Sequence, residues 1–223
     1  EATLGQASAV ASPPTELVLI RTEGDRITDV PLAQVAGKAF FTKEIEEAML
    51  AGEIEVAVHS MKDVPTYFPA GLGLRCITRR EDPRDIVILR PGLKSWEDLP
   101  IGGRVGTSSL RRKAMLLHTR PDLQMLDIRG NVETRIRKLT DDNLDAVVLA
   151  AAGMHRLGFA RQISEYLPVE VSLPAIGQGA LGLESRVDDG EINEMIDFFN
   201  HPETAHAVIA ERALLARLEG GCQ

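Results

Sequence analysis

Lys62 and Asp63 stand side by side in His59-Ser60-Met61-Lys62-Asp63, a polar turn closed by Pro65. At the carboxyl end of a strand, the two would stand side by side at an edge where α/β sheets hold ligands. The same turn also fits a helix-start capping box, Ser60 with Asp63 three residues on. Further along, Arg111 and Arg112 fall in the first turn of a helix, Arg129 follows a strand, Arg135 lies one turn into the next helix, and Arg156 follows the next strand. Cations in a helix's first turn oppose its dipole by a few tenths to about 1 kcal/mol. That position suits an anion instead. A single arginine is ordinarily a solvated side chain, but five at successive strand-to-helix junctions argue for a bound anion. Guanidinium forks grip carboxylates or phosphates with paired hydrogen bonds. Gly102-Gly-Arg-Val-Gly-Thr-Ser108 lacks the lysine of a phosphate-binding loop. The pattern therefore points to a small polycarboxylate rather than a nucleotide.

These residues need elements to hold them. Ile54, Val56 and Val58 alternate with small or polar residues, which predicts a strand leading into the Lys62-Asp63 turn. In open α/β sheets, ligands sit beyond the carboxyl ends of such strands. Leu17–Ile20, Leu72–Ile77, Ile86–Leu89 and Leu123–Ile128 read as further strands, and Asp145–Ala152 as a parallel strand covered on both faces. Thr42 is placed to cap a helix over Lys43–Ala51, with Ile45 and Met49 inward. Ser108 or Ser109 caps the next, with Leu110, Ala114 and Leu117 as its buried stripe. Asn131 caps a third, with Val132, Ile136 and Leu139 inward. The last helix runs from about Glu203 to Leu218, with Ala207, Ala210 and Leu214 on its core side. Residues 1 to 14 read as a weak Ala-rich helix, and Pro31–Phe41, containing Lys38, as a lid or long connection. Strands and helices alternate throughout, so the fold class is α/β.

The 223 residues carry a net charge of -8, so no global basic field draws nucleic acid. No apolar run approaches the roughly 18 residues of a membrane span, and Glu1-Ala-Thr-Leu-Gly-Gln shows no signal peptide. Cys76 and Cys222 suit a reducing cytoplasm rather than a disulfide framework. No Cys or His spacing suggests a metal site.

Taken together, the blocks Val56-Ala-Val-His-Ser-Met-Lys-Asp-Val-Pro65, Arg80-Glu-Asp-Pro-Arg-Asp85, Gly106-Thr-Ser-Ser-Leu-Arg-Arg112, Arg129-Gly-Asn-Val132, Leu173-Pro-Ala-Ile-Gly-Gln-Gly-Ala180 and Leu218-Glu-Gly-Gly-Cys-Gln223 closely resemble the hydroxymethylbilane synthase (porphobilinogen deaminase) family. The blocks extend from about Arg21 to the last residue, in the family's order. The resemblance implies two periplasmic-binding-protein-like (type II) α/β domains with an interdomain cleft. Domain 1 is expected over residues 1–78 and 178–200 and domain 2 over 84–173. Residues 201–223 would begin a third α+β domain. Relative to the family the chain starts after a first strand carrying Arg-x-Ser, and holds only the third domain's first helix, so a piece of a longer protein is expected.

The resemblance also implies an activity. The family joins four porphobilinogen molecules head to tail, releases ammonia at each step, and builds hydroxymethylbilane on a dipyrromethane cofactor. The cysteine matching its thioether attachment point is Cys222. Asp63 matches the catalytic carboxylate. Lys62, Thr107, Ser108, Ser109, Arg111, Arg112, Arg129, Arg135, Arg156 and Gln178 match residues that bind substrate and cofactor, and Lys38 lies in the stretch matching a mobile lid. A cytoplasmic monomer, with porphobilinogen as its small-molecule partner and neither nucleic acid nor membrane, is the expectation. A non-catalytic periplasmic-type module that binds a small polycarboxylate is the alternative.

Overall fold

A computed structural model describes residues 14–20, 22, 42–218 and 220. The expected helix over residues 1 to 14, the lid with Lys38, and Cys222 lie outside those residues, apart from Pro14. Helix α1, Lys43–Leu50, starts at Thr42 and carries Glu44 and Glu46 in its first turn. There the dipole favours acids. Its inner face brings Ala48 and Met49 against Ile54, Ala57 and Leu72.

Strand β1, Val56–Ser60, follows and ends in a single 3-10 turn, Met61–Asp63. Ser60 makes no side-chain cap bond to that turn, so the capping box does not form. Ala57 and His59 face inward, whereas Val58 is 56% exposed. A buried hydrogen bond between His59 and Glu184 sets that orientation against the apolar expectation. Strand β2, Leu72–Ile77, completes the first half of this region.

Residues 78–84 then cross to a second sheet. Its strands are β3 (Asp85–Leu89), β4 (Arg104–Gly106), β5 (Gln124–Leu126), β6 (Ala146–Ala150) and β7 (Glu165–Tyr166), in the order β5-β4-β6-β3-β7. β4 runs parallel to β5 and β6, while β3 runs antiparallel to β6 and β7. The expectation of a parallel β6 therefore holds on one side only. Both faces of this sheet are covered. Val87, Leu89 and Val148 join one core with Leu116 of helix α2, Leu110–Thr119. Ile86, Ile88, Val147 and Leu149 join another core, against which pack Val132 and Ile136 of α3, Val132–Asp141; Met154 of α4, Ala151–Arg156, belongs to that core. Two-sided burial erases the period-two pattern, so β3 and β6 read as unbroken apolar runs. Ala151 and Ala152, expected to extend β6, already belong to α4.

The chain returns after β7 to strand β8, Leu181–Arg186, which lies between β1 and β2 and pairs antiparallel with both. Helix α5, Gly190–Asp197, follows and is capped by the Asp189 side chain, which accepts from the Ile192 N–H. Sequence reading missed this short helix, although Asp189 before Ile192 and Ile196 is its signal. Helix α6, Pro202–Arg217, closes the described chain.

Three stripes differ from expectation. Leu17–Leu19 lie exposed outside any strand, because an apolar run becomes a strand only where a neighbour offers a ladder. In α2 the buried residues are Arg112 and Leu116, while Leu110 is 43% exposed. The helix is turned to bring Arg112 onto a carboxylate. In α6 the buried residues are Thr204, Ala205 and Val208, and Leu214 is exposed. An Ala-rich helix is apolar on several sides, so periodicity alone cannot choose its inner face.

Candidate active site

Strands β4, β5 and β6 are parallel, so their carboxyl ends share one edge of the second sheet. Thr107 to Ser109, Arg129 to Asn131 and α4 all start there. Because β3 is antiparallel to β6, its first residue, Asp85, lies opposite Ala150 at that same edge. This is how the fold delivers a carboxylate to the arginines, and sequence reading missed it. The signal was available as a charged residue opening an apolar strand, Asp85-Ile-Val-Ile-Leu89.

Asp85 is fully buried. Its Oδ1 accepts from Arg112 Nη2 at 2.7 Å and Gln178 Nε2 at 2.9 Å. Its Oδ2 accepts from Arg111 Nη1 and Ser172 Oγ, both at 2.7 Å. Burial alone would favour the neutral acid. The charges of Arg112 and Arg111 and their hydrogen bonds outweigh it and hold the carboxyl well below its ordinary range. The anion expected at the α2 N-terminus is thus supplied in part by the chain itself.

The remaining donors and acceptors are sharply divided. Arg112 Nη1 donates to the Val148 carbonyl at 3.1 Å, while its Nε is buried with no hydrogen-bond partner among the described residues. Gln178, 1% exposed, likewise has an unpartnered buried Oε1. Arg111 Nη1 also reaches the Leu173 carbonyl. Ser109 caps α2 by accepting from the Arg112 N–H, and Ser108 Oγ donates to the Ile128 carbonyl at 2.6 Å. Thr107 Oγ1 accepts from the Ser109 N–H at 3.3 Å. These three hydroxyls shape the turn that aims the arginines.

Lys62 and Asp63 come to this cluster from the first sheet. Burial lowers the Lys62 pKa, Asp63 opposes that shift, and Arg112 and Arg135 add to it. Burial likewise lowers Arg135, with Arg112 adding, Asp63 opposing and Arg129 adding. Arg135 Nε donates to the Gly130 carbonyl at 2.7 Å. Lys62 thus feels Asp63, Arg112, Asp85 and Arg135, and Arg135 feels Arg112, Asp63 and Arg129. Arg156 stands apart: it ends α4 rather than opening it, and donates to the Gly179 carbonyl at 2.6 Å. Burial lowers its pKa, and Glu81 opposes that shift.

The Gly-rich turn is clamped against the crossing segment. Gly177 and Gly179 have φ of +68° and +94°. A Cβ on Gly177 would stand 2.8 Å from Met61 Cβ, and one on Gly179 would collide with the Glu81 carbonyl. Only glycine lets these two backbones approach. Arg80 and Gly177 N both bind Glu211 of α6, and Arg212 Nη1 donates to the Val64 carbonyl at 2.9 Å. Helix α6 thus braces both the Gly-rich turn and the loop after Asp63. Among the described residues no cluster of His, Cys, Asp and Glu is arranged to hold a metal ion. No described helix is long and apolar enough to cross a membrane.

The family model described as "Porphobilinogen deaminase, dipyromethane cofactor binding domain" matches residues 2–194. The chain belongs to this family. A porphobilinogen deaminase of Geobacter metallireducens is 74% identical over 93% of this chain, and one of Geobacter sulfurreducens is 70% identical over the same share. The chain spans 65% of the length of either relative. A solved nutrient-binding protein of Burkholderia cenocepacia, bound to methionine, matches 72% of this chain and 77% of its own at 12% identity, with a TM-score of 0.45. That likeness is too loose to carry an argument.

Proposed function

We propose that the protein carrying this chain is a hydroxymethylbilane synthase, which condenses four porphobilinogen molecules into a linear tetrapyrrole and releases ammonia. The supporting observation is the meeting of Lys62, Asp63, Arg112, Arg129 and Arg135 at one cleft edge, reached from two different sheets. Each porphobilinogen brings an acetate and a propionate, and guanidinium groups are suited to both.

The residues present fit a dipyrromethane primer. The unpartnered Arg112 Nε is a donor for a carboxylate, and the unpartnered Gln178 Oε1 is an acceptor for a ring N–H. Arg111, Arg112, Arg129, Arg135 and Lys62 would hold its carboxylates, and Arg156 and the Thr107-Ser108-Ser109 turn would complete the wall. When bound, the primer supplies the nucleophilic pyrrole carbon to which substrate is joined. Cys222 is the attachment point in this reading, since a thiolate is a far better nucleophile than a hydroxyl near neutral pH. In this reading Lys38 falls in the stretch that corresponds to the family's lid. Asp63 stabilises the cationic pyrrole left when porphobilinogen sheds its amine, and accepts a ring proton. Domain 1 comprises residues 1–78 and 178–200 and domain 2 residues 84–173, with 201–223 opening a third. The protein acts as a cytoplasmic monomer on a small molecule, without nucleic acid or membrane.

The test is incubation of the protein, at its relatives' full length, with porphobilinogen, followed by intact mass and ammonia assay. Mass increments of whole pyrrole units on Cys222 and one ammonia per porphobilinogen consumed are expected. Reversible binding without ammonia release would leave a polycarboxylate-binding module instead.

A further inference from the structure

We propose that Asp85 is a positioning residue for this reaction, acting through Arg111, Arg112 and Gln178 rather than on substrate. The proposal rests on the reading of the cleft given above. Asp85 is fully buried and both its oxygens are occupied by donors of the chain itself, so it offers nothing to a ligand directly. Its four donors come from two places in the chain, Arg111 and Arg112 at the start of α2 and Ser172 and Gln178 on the segment returning to the first sheet. Both oxygens are fully used, two donors each, and that arrangement fixes the two segments relative to each other.

The pairing also divides the arginines. Arg112 is locked: its side chain is 7% exposed, one Nη is on Asp85 and the other on the Val148 carbonyl. Its Nε, also buried, is the one nitrogen left without a partner among the described residues. Arg111 is 24% exposed, and among the described residues its bonds, to Asp85 and Leu173, run through Nη1 alone. Its outer N–H groups remain for a ligand. Asp85 thus leaves each guanidinium with a fixed, limited face, which would select carboxylates at set spacing over anions in general.

Two physical roles for Asp85 make opposite predictions. As a mere counter-charge it weakens the pull of the arginines on anions, so removing it would tighten substrate binding. As a positioning group it aims them, so removing it would loosen binding. Asp85→Asn separates these roles, because the amide keeps one acceptor oxygen and turns an N–H donor toward two other donors.

The experiment is steady-state kinetics of the full-length protein with porphobilinogen, with folded fraction and melting temperature measured in parallel. For Asp85→Asn we expect KM to rise about ten- to hundredfold, the loss of a charged hydrogen bond, with a smaller fall in kcat. A second variant, Ser172→Ala, keeps the charge and removes one donor to Oδ2. Its KM should rise severalfold, and it decides the question if Asp85→Asn does not fold. Combining Asp85→Asn with Arg111→Gln should cost less than the sum of the two changes, because both act through one guanidinium. A lower KM in Asp85→Asn, unchanged kinetics per folded molecule, or strict additivity with Arg111→Gln would each overturn the role. Wild-type protein is the control: if it releases no ammonia, the reading of the cleft fails first and takes this proposal with it. If it turns over while Asp85→Asn and Ser172→Ala match it, only the role of Asp85 fails.

Discussion

Asp85 and Glu184 are both fully buried carboxylates, one at the edge of the second sheet where β4, β5 and β6 end and one inside the first. Asp85 receives four hydrogen bonds, two of them from guanidinium groups. Glu184 meets His59 Nε2 at 2.8 Å, and its Oε1 has no hydrogen-bond partner among the described residues. Nearby Glu46 is pushed above the ordinary carboxylate range, by burial foremost and with the negative Glu184 adding. Burial is alike in the two places, and the supply of permanent positive donors is not. Two arginines keep a buried carboxylate charged at any working pH. One imidazole beside two carboxylates leaves a centre short of donors, in which the bond between His59 and Glu184 joins β1 to β8. That strand-end edge is therefore built for fixed charge, and the interior of the first sheet for cohesion.

The largest effect that would test this division is His59→Leu. It strips Glu184 of its partner, and leaving a buried charge uncompensated costs about 3–5 kcal/mol. Thermal or denaturant unfolding should show that loss, while turnover per folded molecule stays near wild type. A turnover defect in well-folded protein would erase the distinction. On the cleft side, Asp63→Asn should do the reverse. The amide is nearly isosteric, so melting should hardly move, while turnover falls on the order of a hundredfold if one charge near the cationic pyrrole is worth about 3 kcal/mol. Near-normal turnover would remove Asp63 from the chemistry.

Cys76 sharpens the picture of the first region as cohesive rather than reactive. Burial first, and then Asp197, push its thiol up to about 12, and it packs with Leu183 and Ile196. Native protein treated with a thiol reagent near pH 8 should therefore leave Cys76 unlabelled. Cys76→Ser should cost about 1–3 kcal/mol of stability, for burying a hydroxyl without a partner, and no activity. Rapid labelling of Cys76 in folded protein would contradict its place in the core.

The smallest effect is a difference in sign with pH. Asp85 has a depressed folded pKa, so its contribution to stability is complete above the unfolded value of 3.8 and is lost as pH falls below it. Glu46 has a raised folded pKa, so its contribution is complete below 4.5 and is lost as pH rises through the raised value. Glu46→Gln should then raise the melting temperature near pH 7 by about 2–4 °C, the shift expected for roughly 1 kcal/mol in a chain of this size, and change little at pH 4. A gain of equal size at both pH values would mean that charge at Glu46 is not the cause.

The amino-acid sequence alone determined the α/β class, helix starts at Thr42, at Ser108 or Ser109 and at Asn131, and the grouping of arginines near strand ends; the structure chose Ser109 and left the Thr42 side chain out of its cap. These rest on local physics: caps, turn residues and apolar runs act within a few residues. Tertiary structure decided which face of each element turns inward. Val58 faces out and His59 in, because β8 brings Glu184 across from β1. Arg112 rather than Leu110 is buried in α2, because an antiparallel β3 delivers Asp85 to the edge where three parallel strands end. No window of neighbouring residues contains that information. A salt bridge between positions 85 and 112, or 59 and 184, exists only once strand order and direction are set. Leaving such a buried group without its partner costs more than the weak preference of one apolar stripe over another, and the helix or strand turns to suit the pair.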